Sequence, residues 1–202
     1  MTSTARRTTA LAAIAGSVLM LVTTVAYALN GQGFSQGEVP GAIQIWAFIL
    51  YGVAIVGLVH LFEDVAPRAA AITIVVGLVG MAGGAAYGID AIGLEALGGS
   101  IVDSSAVAPF ALRIPGLAFP VAVFLLGFFL ARHGSVPTVA GYGLAVAALL
   151  FPVAHIGDVI PLALVSDVVA VIAMSAIAFS LLSASSEVEK RRASDPVSVT
   201  GS

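Results

Sequence analysis

Apolar residues run almost unbroken along this chain, and short polar, glycine- or proline-bearing segments cut them into stretches of about 20 residues, enough for a helix to cross a bilayer. Six such stretches are predicted, at residues 9–29, 42–62, 69–92, 108–131, 138–160 and 162–183. Between them lie a glycine-rich polar loop (30–41), a short turn with Pro67, a small polar loop (98–107) and a tight turn (132–137). After Ser183 the chain becomes rich in Ser, Glu, Lys and Arg and loses its apolar period. The expected fold is all-α: a polytopic membrane helix bundle of six transmembrane helices over residues 1–183, with 184–202 a disordered cytoplasmic tail.

Charge placement orients the bundle. Arg6, Arg7, Arg68, Arg132, Lys190, Arg191 and Arg192 fall on one side of an even number of spans, so both termini are expected in the cytoplasm. The opposite loops carry Glu38, Asp90, Glu95 and Asp103 and no basic residue; Arg113, within the outer end of the fourth span, is the exception. Arg6-Arg7 followed by an apolar run and Ala26-Tyr27-Ala28 also outlines a secretory signal, but the run is long for one and reads as a retained anchor.

Composition narrows the chemistry. With 59% hydrophobic and 9% charged residues the chain is no ordinary soluble globule, and a net charge of −3 gives no reason to expect nucleic acid. Without cysteine there is no disulfide, thiolate metal site or cysteine nucleophile. A retinal Schiff base needs a lysine in the last span, and the only lysine, Lys190, lies beyond it. The preference for arginine over lysine, with abundant Ala, Val and Gly, suggests a high-GC bacterial genome.

In the third span Gly80, Gly84 and Gly88 recur every fourth residue with Gly77 a turn earlier, a stripe that lets a neighbouring helix approach closely. Packing is its expected role. Ionisable groups inside spans are costly and therefore candidates for function. Asp90, Arg113, His155, Asp158 and Asp167 all fall near the outer ends of spans, and Arg113 is expected to pair with Asp167 or Asp158, as a structural tie or as part of a protonatable site. Pro115, Pro120, Pro152 and Pro161 interrupt helical hydrogen bonding nearby, which kinks helices and frees carbonyls.

His60 and His155 belong to opposite membrane faces and cannot share a haem; His60 and His133 share a side with Glu63 and Asp64, but no metal-site spacing is present, so no metal or cofactor is expected. Neither a phosphate loop nor a nucleophile elbow occurs. Trp46, Tyr27 and Tyr51 read as interface or packing residues, and Phe124, Phe128 and Phe129 as facing lipid or the glycine stripe. The His-x-x-acid pattern at His60–Glu63 and His155–Asp158 hints at an inverted repeat, which the rest of the halves does not support. Arg191-Arg192-Ala193-Ser194 outlines a kinase site but fits a basic membrane anchor better. The expected function is a non-enzymatic accessory or structural component of the cell membrane, with lipid and a membrane partner or second copy as its contacts. The alternative is a small proton- or cation-coupled transporter using the polar cluster.

Overall fold

The computed structural model describes residues 1–31, 33–104, 106–133 and 136–194, with side chains described up to Ala184 apart from a few in loops and helix ends. All regular structure among them is helical: α1 (Ser3–Asn30), α2 (Glu38–Val59), α3 (Pro67–Leu97), the single turn α4 (Ile101–Ser104), α5 (Ala108–His133), α6 (Thr138–Ile156) and α7 (Ile160–Ser194), with a 3-10 turn at Gly33–Ser35. Six of these helices, all but α4, are long and apolar enough to cross a membrane. The helical backbone of α7 carries on past Ser183, where the apolar composition ends.

The long helices form a closed ring. Each packs against its neighbour in the chain, α3 meets α5, and α7 returns to α1. The end of α1, the start of α2, the end of α3, the start of α5 and the turn from α6 to α7 gather at one end, here called the acidic end for Glu38, Glu95 and Asp158. The opposite end, where α1 starts and where α2 gives way to α3, carries Arg6, Arg7, Arg68 and Arg132 and is the basic end.

Small residues set how closely the ring closes, since helices without a water-driven force between them gain contact by backbone approach. A Cβ on Gly83 would land on the backbone of Gly116 in α5, and one on Gly80 on that of Phe119. Gly84 receives the Phe48 ring of α2, while a Cβ on Gly88 would come within 2.6 Å of the Gly41 carbonyl. A Cβ on Gly77 would meet Ile55 at 3.1 Å and Ala122 at 3.7 Å. The glycine stripe thus turns partly toward α2 and partly toward α5, rather than presenting one flat face to one partner. Beside a helix repeat of 3.6 residues, a four-residue spacing drifts around the helix, and Gly83 joins the face toward α5. At the next seam, Gly127 of α5 meets Gly141 of α6.

The basic end is packed solid. Leu58, Val59, Leu126, Leu130, Leu144, Met174 and Ile177 are essentially inaccessible there and in the middle of the bundle. Phe128 and Phe129 sit near this end with Phe124 close by: Phe129 stacks on Phe62 at 5.6 Å and on His133 at 6.2 Å. They lie away from the stripe, whose aromatic partners are Phe48 and Phe119. Arg132 holds its guanidinium 5.8 Å from the Phe128 ring, an aromatic contact well suited to a helix end.

A candidate ligand cavity at the acidic end

Toward the acidic end side chains do not fill the middle of the ring. A cavity of about 690 Å³ opens there, lined from α1 by Met20, Thr23, Thr24 and Tyr27, from α2 by Gln44 and Phe48, and from α3 by Gly84, Tyr87, Asp90 and Leu94. Gly116, Leu117 and Pro120 of α5, with Phe151, Pro152, His155 and Ile156 of α6, complete the wall, and Phe34, Ser100 and Asp158 reach in from connections. From Asn30, at the rim, to Met20 is a descent of about 15 Å at 1.5 Å per residue, roughly half the thickness of a hydrocarbon core.

Local chemistry shapes the mouth. Asp158 has φ 52°, a left-handed conformation that aspartate tolerates better than branched residues and that lets the chain reverse between α6 and α7. Behind it, the Val159 N–H donates to the Ala154 carbonyl at 2.8 Å, ending α6 at Ile156 although the apolar sequence continues. The Asp158 carboxylate sits against Gly33, where a Cβ would come within 2.8 Å of Oδ2. This contact seats the 3-10 turn, and Phe34 then lies 4.6 Å from the His155 ring and 5.8 Å from that of Tyr27.

His155 also stacks on Phe151 at 3.9 Å, and its Nδ1 lies 3.0 Å from the Phe151 carbonyl. A carbonyl only accepts, so Nδ1 carries the hydrogen and a neutral ring leaves Nε2 as its acceptor. Across the cavity a hydrogen-bonded chain ties three helices: the Tyr27 hydroxyl donates to Gln44 Oε1 at 3.0 Å, and Gln44 Nε2 donates to the Gly84 carbonyl at 3.0 Å.

The five ionisable residues expected to share one depth divide differently. Asp90, His155 and Asp158 line the cavity. Asp90 accepts from Ser100 Oγ at 3.0 Å and from the Ile101 N–H at 2.5 Å, so its carboxylate fastens the start of α4. Asp167 lies deeper, 3% exposed, and accepts the Thr24 hydroxyl at 2.5 Å. The Arg113 side chain, and with it the expected pairing, lies outside the described residues, as do the side chains of Asp103, Lys190, Arg191 and Arg192.

At the bottom an aromatic layer forms the floor. Phe119 meets Phe48 at 4.9 Å, Tyr51 at 5.2 Å and Phe151 at 5.2 Å, each edge to face, the geometry that aligns ring edges with ring faces. Pro115 and Pro120 sit inside α5 and Pro152 inside α6, as the sequence places them. Pro120 and Pro152 reach the cavity wall, where their missing N–H groups leave turns open toward it. At the other end His60 Nδ1 lies 2.7 Å from Glu63 Oε2, an exposed pair, and among the described residues no three His, Asp or Glu side chains gather as metal ligands.

Sequence reasoning missed Phe34, Gln44, Tyr87 and the Thr23–Thr24 pair, and it assigned Tyr27 and Tyr51 to the interface or to packing. Gln44 and Thr24 carried a usable signal, since an uncharged polar group within an apolar span also needs a partner or water. Phe34 carried none, because its position depends on the Gly33–Asp158 contact. Neither protein-family models, nor curated proteins, nor solved structures give a match to this chain.

Proposed function

We propose that this chain is a multi-pass protein of the cell membrane, termini in the cytoplasm, that takes a small amphipathic molecule into the cavity from the outer side as a binding protein or carrier. The membrane and the orientation rest on six apolar helices and on the basic residues collected at one end. The cavity is the observation that carries the reading. Its volume is in the range of sites for small organic ligands, about 300–1,000 Å³. Aromatic faces from Phe34, Tyr27, Tyr87 and Phe151 suit an apolar body, and His155, Asp158 and Gln44 offer hydrogen-bonding groups.

A structural or accessory role draws on Asp90 and on the Thr24–Asp167 pair, which fasten elements together. Such a role needs no void of this size, so it ranks second. No catalytic group is invoked in either reading.

The test is ligand protection of the purified protein. Small aromatic amines, alcohols and zwitterions are screened for a rise in melting temperature, alongside Leu94→Trp, which fills the mouth from a half-buried position. A ligand at a hundred times its Kd stabilises by about 2.7 kcal/mol. The expected result is saturable protection by one chemical class that Leu94→Trp abolishes. No protection by any class, with no small molecule retained on purification, contradicts the reading.

A further inference from the structure

Beneath the aromatic floor, a second void of about 20 Å³ holds the Asp167 carboxyl. The volume suits at most a single water molecule. Met20, Pro120 and Phe151 line both spaces, and Thr24 lines the upper one while hydrogen-bonding Asp167 in the lower. Among the described residues no Lys, Arg or His side chain forms an ion pair with Asp167. An ionised carboxylate so placed gives up most of its hydration, and a single hydroxyl donor replaces only part of it.

We propose that Asp167 is a proton-exchange site served from the cavity through the Thr24 hydroxyl. In the step, Thr24 passes its hydrogen to Asp167 Oδ2 while Oγ1 takes a proton from a hydronium ion in the cavity, leaving a carboxylic acid, an intact hydroxyl and water. Among the described residues, no other charged side chain lines the void around Asp167. Tyr51 faces the void from α2, while α5 presents Phe119, Pro120 and Val123. From α6 come Ala147 and Ala148, with His155 above the floor, and on α7 Ser166 donates to the Ala147 carbonyl at 2.9 Å. α1 contributes Thr24 and Met20. The apolar character of this shell disfavours a metal cation, which needs several oxygen ligands.

This deepens the proposed reading, since it supplies a carrier with a proton, but it is tested without any ligand. Infrared spectra of the protein in nanodiscs, recorded as the sample is acidified, should develop a protonated-carboxyl band that Asp167→Asn removes. Thr24→Val should retain the band and slow its deuterium exchange by about a hundredfold, with Thr24→Ser exchanging like the wild type. Should Asp167→Asn fail to fold, the two Thr24 variants carry the test. Identical spectra for the wild type and Asp167→Asn, equal exchange in Thr24→Val and Thr24→Ser, or a carboxylate band responding to replacement of choline by sodium would each overturn it. A proton at Asp167 without ligand protection would leave this inference standing and remove the carrier reading; ligand protection without the proton does the reverse.

Discussion

The two ends of the bundle are built from the same six helices and differ in what fills the ring. At the basic end Leu58, Val59, Leu126, Leu130 and Ile177 meet in the middle, and little but packing is asked of them. At the acidic end prolines, a 3-10 turn and the short α4 prop the helices apart around polar and aromatic groups. A bundle solid at both ends would be the cheaper fold, because side chains around a void forfeit contacts on one side. The contrast teaches that the opening is specified residue by residue, with Asp158, Gly33 and Asp90 holding its rim, rather than left over from poor packing.

The largest effects should come where the ring is tight. Gly83→Val forces a branched side chain into the Gly116 backbone and should lower stability by about 3 kcal/mol in detergent denaturation, whereas Gly93→Ala, whose Cβ would meet the Gly99 carbonyl at an ordinary 3.9 Å, should change it by less than about 1 kcal/mol. At the basic end Leu130→Ala should cost about 3 kcal/mol, with Leu94→Ala in the cavity wall costing well under half as much. Equal costs for the two leucines would erase the distinction between a packed and an open end.

How much of this was legible in the sequence follows from what each feature depends on. The six helices were, because apolar length is a local property, and Thr138 and Ala108 start helices where the pattern put them. Helix ends were less so: α6 stops at Ile156 because Asp158 turns the chain, which the continuous apolar run from Val159 to Leu162 hides. That Asp90, His155 and Asp158 fall near the outer ends of the third and fifth spans was legible, and all three line the cavity. Their division of labour was not, because it rests on Ser100, Gly33 and Phe34, loop residues with no periodicity to place them. Asp167 was taken for one of the same group, yet its carboxyl is held by Thr24 of the first helix, a partner 143 residues away.

Smaller effects sharpen the rim. Asp90→Ala removes the acceptor for Ser100 and Ile101 and should cost about 2 kcal/mol, with faster amide exchange confined to the start of α4. The exposed His60–Glu63 pair gives the lower bound, and His60→Ala should shift stability by less than about 0.5 kcal/mol, with no effect at the cavity.

The central claim, a bundle open at one end and sealed at the other, is tested most directly by thiol reactivity, since the native chain has no cysteine to interfere. Thr23→Cys places a thiol in the cavity wall, and Val59→Cys places one in the sealed core. With a membrane-impermeant thiol reagent, Thr23→Cys should label from outside intact cells, and Val59→Cys should label neither there nor in inside-out vesicles. If Thr23→Cys stays unreactive from both sides, or Val59→Cys labels as fast, the account is wrong.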